Sequence, residues 1–288
     1  MKKIFLSLVI MFFVINPCFA IKIGLICNEK SSYIASSSPA ILVDGRTKNS
    51  ILKIKEMCRY DIKISKNTIA IKLDDGKYYN TRSNYLILVP QNGFVSTKNR
   101  WYRGNLVIKS NNNLTIINDV SLEDYLLGVL PSEMPSGWSK EALKAQAIAA
   151  RSYALANLGK RNYLGFDLKD NQEDQVYLGA SHEKAKTSQA VIETRGKVLV
   201  CNKKIINAYY CSSAGGQTKL AAEAWPNSPN LPYIHSVYSY DAERGKNGHG
   251  VGMSQYGANY LAQRGYNYSQ ILNYFYSNIA LATLKQSL

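Results

Sequence analysis

An alanine-rich stretch in the middle of the chain constrains the fold more than any other feature. A helical pattern begins near Ser139 and runs to Ala156. One face of this pattern consists of Leu143, Ala147, Ala150 and Ala154. Alanine favours helix, and its small side chain lets another backbone approach closely. We therefore expect this helix to be packed deep in a core.

Residues 21–118 have a different pattern. Short stretches such as 68–73 alternate apolar and polar residues, as strands with one buried face do, and turn residues such as Asp75-Gly76 separate them. A β-hairpin is predicted over 198–210. The sequence predicts an α+β fold, in which a β-rich N-terminal part (21–118) packs with a mixed α/β catalytic core (119–280) that holds the alanine-rich buried helix and a central cleft.

Helix signals begin at residue 121. Ser121 is a good N-cap, and Pro131 is expected to end the first helix after Leu130. Near the end of the chain, a Gly-rich turn leads into a helix predicted from about Ser254 to Arg264.

The first 20 residues resemble a cleavable export signal. Lys2 and Lys3 precede an apolar run from Ile4 to Ile15, and Cys18-Phe19-Ala20 places small residues where a signal peptidase needs them. The run is shorter than the ~20 residues that a membrane span needs. Lipid attachment at Cys18 is less favoured, because Pro17 precedes it. We expect an exported protein of the periplasm or cell envelope, with no stable membrane anchor after cleavage.

The formal net charge is +15, and it is +13 without the first 20 residues, which contain two lysines and no acidic residue. The charge either serves solubility alone or attracts a polyanion. Nucleic acid fits the charge but not an exported protein, so no nucleic-acid partner is expected. Cell-wall glycan fits better, because muramic acid without a stem peptide has a free carboxylate.

Cysteine and histidine residues are few. Cys27, Cys58, Cys201 and Cys211 follow the predicted signal, and either disulfides or buried free thiols are compatible with their spacing. There is no C-x-x-C pair, so a zinc site or other cofactor is not expected.

Glu133 is the main catalytic candidate. It lies between Pro131 and Pro135, which restrict the backbone, and its neighbours Met134 and Trp138 are apolar. If these neighbours shield the carboxyl group from water, its pKa rises, as a general acid at neutral pH requires. The alternative is a glutamate that caps the next helix or pairs with a base such as Lys140.

Several separated motifs resemble the stage II sporulation protein D (SpoIID/LytB) family. They are residues 120–135 (VSLEDYLLGVLPSEMP), 141–154 (EALKAQAIAARSYA), 194–196 (TRG), 213–218 (SAGGQT) with Glu223 and Trp225, and 248–258 (GHGVGMSQYGA). The resemblance covers roughly residues 100–280 in the family's order. Some relatives have a zinc site after the alanine-rich helix, but residues 156–181 contain neither Cys nor His.

The resemblance implies a lytic transglycosylase that cuts peptidoglycan between N-acetylmuramic acid and N-acetylglucosamine. The family's catalytic glutamate corresponds to Glu133, which would act as acid and then base and leave 1,6-anhydro ends. A hydrolase would need two flanking carboxylates, and no second one has an equally distinctive setting.

Further residues of these motifs are candidates for substrate binding. In the Gly-rich segment they are His249, Ser254, Gln255 and Tyr256, although glycines there also suit a simple tight connection. On the alanine-rich helix they are Gln146 and Arg151, and Arg151 is equally suited to a buried pair with Glu123 or Asp124. The motif around 213–223 adds Ser213, Gly215, Gly216 and Glu223.

Two other functions stay open. One is a non-catalytic glycan-binding protein that enhances a cell-wall amidase, N-acetylmuramoyl-L-alanine amidase, a role that the family's other name implies. The other is a hydrolysing muramidase, which would leave reducing ends. The expected partners are therefore peptidoglycan glycan strands, stripped of stem peptides, and an amidase.

Overall fold

The structure, a computed structural model, describes residues 19–284. Twelve strands precede the first helix: β1 Ala20–Glu29, β2 Ser31–Ser36, β3 Ala40–Asp44, β4 Ser50–Ile54, β5 Tyr60–Ser65, β6 Thr68–Lys72, β7 Tyr78–Asn80, β8 Tyr85–Pro90, β9 Val95–Thr97, β10 Arg100–Tyr102, β11 Asn105–Asn111 and β12 Asn113–Ser121. The predicted signal peptide lies outside the described residues, apart from its last two positions.

Helices and short strands make up the rest of the described chain. In order they are α1 Leu122–Glu133, α2 Lys140–Ala156, β13 Leu168–Lys169, α3 Ala185–Glu193, β14 Lys197–Cys201, β15 Lys204–Ile205, β16 Tyr210–Cys211, β17 Ser213–Ala214, α4 Ala221–Ala224, β18 Lys246–Asn247, β19 Met253–Ser254, α5 Gln255–Gln263, α6 Tyr268–Phe275 and β20 Ala280–Thr283. Single 3₁₀ turns lie at Asn162–Leu164, Ala180–His182 and Ala242–Arg244.

Two large sheets form the β-rich part. One has the order β13-β1-β12-β11-β8-β3-β4, and the other has the order β10-β9-β2-β5-β6-β7. The strand β13 pairs parallel to β1, which ties a loop of the later part to the first sheet. Most buried apolar residues from Ile21 to Tyr276 form one continuous hydrophobic cluster, and Val107, Ile117 and Phe166 form a second, small one. The α+β prediction is confirmed, whereas the boundary at residue 118 stays a prediction.

The helix α2 confirms the interpretation of the alanine-rich stretch. It starts after Ser139, as predicted, and its residues Ala142 to Ala154 are buried apart from Lys144. Its small side chains let α1, α3, α5, α6 and β14 all contact it. This helix is therefore the centre around which the later part of the chain packs.

The predicted hairpin over 198–210 is only half right. The strands β14 and β15 pair through the turn at Asn202 and Lys203, but the chain leaves the sheet after Ile205. Tyr210 instead pairs in parallel with Met253 of β19. The change of partner brings the segment after residue 209 next to the Gly-rich segment, which a local pattern does not reveal.

Gly257 provides a test of the packing around α5. A Cβ at this position would overlap the Ser239 carbonyl oxygen and press on the Phe275 ring. We expect Gly257→Ala to lower the free energy of unfolding by about 2 kcal/mol or more, because the obstructing group is backbone. Chemical denaturation would measure the change.

Gly137→Ala is the matched control, since nothing lies within 4 Å of its added Cβ. This variant should stay within about 0.5 kcal/mol of the wild type. Equal stability of the two variants would contradict the close packing of α5.

Candidate active site

A cleft of about 1070 Å³ lies between α1, the 172–176 loop and the segments 209–212, 224–228 and 247–249. It contains carboxylates, amides and aromatic rings together. Its lining side chains include Glu133, Tyr153, Lys160, Gln172, Glu173, Asp174, Tyr209, Tyr210, Trp225, Asn227, His249 and Gln255. Of the predicted site residues, Glu133, His249 and Gln255 therefore share one cavity.

Glu133 is the last residue of α1, and the predicted end of this helix at Leu130 was wrong. Pro131 removes one backbone donor, but the turn beyond it is kept by two other bonds. The Ser132 hydroxyl donates to the Gly128 carbonyl at 2.7 Å, and the Met134 N–H donates to the Leu130 carbonyl at 3.0 Å. Met134, the C-cap residue that follows the helix, is extended because Pro135 comes after it.

The Glu133 carboxyl group is held by a bond from a distant loop. The Val176 N–H donates to its Oε1 atom at 2.6 Å. Burial raises the pKa of Glu133 from its usual 4.5 to about 7, and the Val176 N–H together with the Gln255 and Tyr210 side chains lowers the pKa only in part. The alternative of a pair with Lys140 is not seen, because Lys140 Nζ lies 2.6 Å from Glu193.

The loop that holds Glu133 is itself fixed by a buried amide. Gln175 donates from Nε2 to the Tyr210 hydroxyl at 2.9 Å and accepts at Oε1 from the Tyr125 hydroxyl at 3.3 Å. Gln175 is fully buried, so both bonds form away from water. Tyr210 and Val176 thus reach Glu133 from one connected network, which sequence patterns do not indicate.

The other carboxylates of the cleft are neutralised by bases. The side chain of Asp174 is buried and binds Lys160 at 2.6 Å and Arg161 at 2.7 Å. Glu173 is exposed and binds Lys169 at 2.7 Å and Arg161 at 3.2 Å. These bases lower the pKa of Glu173, and they lower that of Asp174 despite its burial. Among the carboxylates that line the cleft, only Glu133 has a raised pKa.

His249 lies in an aromatic wall of the cleft. Its ring centre is 5.0 Å from that of Trp225 and 5.9 Å from that of Tyr209. Its Nδ1 atom accepts from the Val251 N–H at 3.0 Å, which places the ring proton on Nε2. Burial lowers the pKa of His249 to about 4, so the ring is neutral at pH 7. It is therefore neutral rather than a cation for an acidic ligand.

A buried aspartate that sequence reasoning missed explains several motif residues. Asp241 accepts from the Ala214 and Gly216 N–H groups at 2.8 and 2.7 Å. It also accepts from the Ser239 and Ser254 hydroxyls, both at 2.5 Å. These bonds lower the pKa of Asp241, although burial opposes them. The carboxylate therefore joins the 213–218 motif to the start of α5.

The remaining motif residues of these two segments also have structural partners. Ser254 caps α5 by accepting from the Gly257 N–H, and the Ser213 hydroxyl donates to the Gly245 carbonyl. Gly215 and Gly216 have positive φ angles of 75° and 102°, which favour glycine. None of these four residues lines the cleft.

Four further candidates lie outside the cleft lining. Arg151 is fully buried and donates two 2.8 Å hydrogen bonds to the Glu123 carboxylate. This is the buried ion pair that the sequence analysis gave as the alternative to substrate binding. Gln146 is also fully buried, and neither of its polar atoms has a partner within the described part of the chain. Glu223 accepts from the Leu220 N–H of its own helix, and Tyr256 packs edge-on against Trp138.

Within residues 19–284, the four cysteines are free thiols, and Cys201 and Cys211 are buried. The same residues contain no group of three or more His, Cys, Asp or Glu placed to hold a metal ion. No helix among them is both long and apolar enough to cross a membrane.

Comparison with known proteins agrees with the motifs. Residues 110–201 match the stage II sporulation protein family. The chain is 44% identical to the amidase enhancer of Bacillus subtilis over 109 residues, or 38% of this chain and 14% of the relative. It is 28% identical to the stage II sporulation protein D of Bacillus amyloliquefaciens, over 58% of this chain and 75% of the relative.

An uncharacterized protein of Brachyspira hyodysenteriae is 31% identical over 64% of this chain. The match spans about half, 49%, of that relative's length. The resemblance to the stage II sporulation protein D family is confirmed by these matches.

The raised pKa of Glu133 predicts a pH-dependent gain in stability for Glu133→Gln. The pKa of Glu133 in the folded protein, about 7, exceeds the usual 4.5. The contribution of this group to the free energy of unfolding is therefore fully present below about pH 4.5 and is lost as pH rises through 7. Glutamine does not ionise, so the variant should gain up to about 3 kcal/mol at pH 8, less what solvent access removes. Denaturation at pH 4 and pH 8 would measure this difference.

Glu173→Gln is the control for this measurement. Its carboxylate is exposed and its pKa is lowered, so this variant should show no stability gain at pH 8. A Glu133→Gln variant without a pH-dependent gain would contradict the raised pKa.

Proposed function

We propose, from the stage II sporulation protein domain that residues 110–201 carry, that the protein is a lytic transglycosylase acting on the glycan strands of peptidoglycan. The observation that supports it most is the setting of Glu133. It is the one carboxyl group lining the described cleft whose pKa is raised, to about 7. A group with this pKa holds and releases a proton readily near neutral pH.

The proposed reaction uses this single group twice. Protonated Glu133 donates to the glycosidic oxygen, and the bond from that oxygen to C1 of muramic acid breaks. The 6-hydroxyl oxygen of the same sugar then bonds to C1, and its proton passes to the Glu133 carboxylate. The products are a free 4-hydroxyl end and a 1,6-anhydro end. No water is consumed, and the enzyme returns to its starting protonation state.

The other carboxylates of the cleft support this route over hydrolysis. An ordinary glycoside hydrolase needs a second carboxylate to act as base or nucleophile. Asp174 and Glu173 are both bound to lysine and arginine side chains, which keep their pKa low and occupy their oxygens. A muramidase reaction therefore has no evident second group.

The cleft wall suits a polysaccharide. Tyr209, Trp225 and Tyr153 present aromatic rings that fit the apolar faces of sugars. Gln255, Asn227 and neutral His249 offer polar groups for hydroxyl and acetamide substituents. We propose that the substrate is glycan without stem peptides. We also propose that the protein is exported to the cell envelope.

The second candidate function is enhancement of a cell-wall amidase. It is favoured by the Bacillus subtilis relative, whose name is amidase enhancer. That function requires glycan and amidase binding but no proton transfer, so it leaves the raised pKa of Glu133 without a role.

Glu133→Gln should abolish release of 1,6-anhydro products, because glutamine cannot donate a proton. General acid–base catalysis contributes about 10²–10⁴-fold, so a loss of this order or greater is expected. Binding to purified sacculi should persist. Mass spectrometry of products from amidase-treated peptidoglycan would measure the loss.

Glu173→Gln is the matched control, since it removes a neighbouring carboxylate that is engaged by bases. It should keep most of the activity. Full activity of Glu133→Gln would refute the mechanism, and reducing ends would indicate a muramidase. Absence of soluble fragments with faster amidase turnover would indicate an enhancer.

The rate should fall as pH rises through about 7, because the first step needs protonated Glu133. Tyr210→Phe should move this fall to higher pH, since the Tyr210 hydroxyl lowers the pKa of Glu133. Tyr209→Phe should leave the fall where it is, because the Tyr209 hydroxyl bonds to Asn207 instead. A pH–rate profile of the three proteins would test this, and identical profiles would contradict it.

A further inference from the structure

The positive charge of the protein is concentrated in its β-rich part. Residues 21–118 contain 16 lysines and arginines against six acidic residues, whereas residues 119–288 contain 17 against 14. In the cleft itself, Lys160 is bound to Asp174. Long-range attraction of a polyanion is therefore centred on the β-rich part rather than on the cleft.

One face of the six-stranded sheet displays part of this charge. On β5 and β6, Ile62, Ile69 and Ile71 are buried. Side chains alternate along a strand, so Lys63 and Lys72 point to the opposite side, and both are exposed. Lys72 pairs with Tyr78 of the edge strand β7, and Tyr78 is 42% exposed.

Cations and aromatic rings are paired on this face. The Lys63 Nζ lies 3.8 Å from the centre of the Tyr78 ring, and the Arg59 guanidinium lies 4.1 Å from the centre of the Tyr33 ring. Lys63 and Lys72 have no carboxylate partner within residues 19–284, whereas the Arg59 Nε atom lies 3.0 Å from Asp61 Oδ1. We call Tyr33, Arg59, Lys63, Lys72 and Tyr78 the basic face. None of them lines the cleft.

This combination of groups matches an acidic polysaccharide. An exposed aromatic ring packs against the apolar side of a sugar, and an adjacent ammonium or guanidinium group pairs with a carboxylate on the same sugar. Glycan without stem peptides has such a carboxylate on every muramic acid. A long strand can bind the cleft and a second surface at once, which raises its overall affinity.

We infer that the basic face is a second binding site, separate from the cleft, for carboxylate-bearing glycan strands. The inference rests on the proposed function only for the identity of the polymer. The face holds the strand near the enzyme and has no part in bond cleavage.

The experiment measures binding of purified glycan strands, stripped of stem peptides by an amidase, to the full chain with Glu133→Gln as background. Adding Arg59→Gln, Lys63→Gln and Lys72→Gln should weaken binding roughly tenfold at low ionic strength, since exposed charge contacts contribute modestly each. Adding Tyr78→Ala alone should also weaken it. Strands whose carboxylates have been converted to amides should bind weakly to every variant.

The control removes three exposed lysines from the later part of the chain, with Lys184→Gln, Lys186→Gln and Lys204→Gln. This triple variant has the same change in net charge as the basic-face triple variant, but its binding of glycan strands should be almost unaffected. Equal weakening by both triple variants would overturn the inference, because only net charge would then matter. Circular dichroism checks that all variants fold.

A DNA duplex of similar charge distinguishes a glycan site from a general polyanion site. Binding of DNA as tight as that of glycan, with no effect of Tyr78→Ala, would overturn the inference. Cleavage of short oligosaccharides, measured with Glu133 restored, should not respond to the basic-face variants. If the wild type cuts nothing while the binding pattern holds, the proposed reaction fails and the binding site stands.

Discussion

The close packing of α2 against α1, α3, α5, α6 and β14 is the constraint on which the site depends. Its alanines let neighbouring backbones approach, and near its end the buried Arg151 binds Glu123 of α1 through two 2.8 Å bonds. Removing an ion pair from water is costly unless its geometry is complete. Here the guanidinium also donates to the Lys197 and Val191 carbonyls, which completes it. This contact fixes α1 at one end, and Glu133 is at the other.

The opposite side of the cleft is organised by the carboxylate of Asp241. It joins the 213–218 loop to the N-cap of α5 through four hydrogen bonds. Gln255 follows that N-cap directly, so its position beside Glu133 depends on Asp241. Many residues of the family motifs thus support the site without lining the cleft. A motif match identifies residues that are needed, but not whether they contact substrate.

Local sequence patterns correctly predicted the helices and strands that form through interactions between residues close in the chain. The alanine-rich helix and the alternating strands were predicted because helix and strand place side chains at fixed spacings. The end of α1 was predicted wrongly at Pro131, because the turn beyond the proline is held by Ser132 and Met134. The hairpin failed after Ile205 because Tyr210 finds its partner in Met253, more than 40 residues away.

The sequence by itself determined the chemistry that was available: a glutamate between two prolines, an alanine-rich helix, and a basic β-rich part. These follow from residue type and spacing, which are local. Only the tertiary structure decided the pKa of Glu133, because it depends on burial and on Val176, Tyr210 and Gln255 from three distant segments. Likewise, Arg151 and His249 were both candidates in sequence. Packing buried Arg151 in an ion pair, whereas it placed His249 in the wall of the cleft.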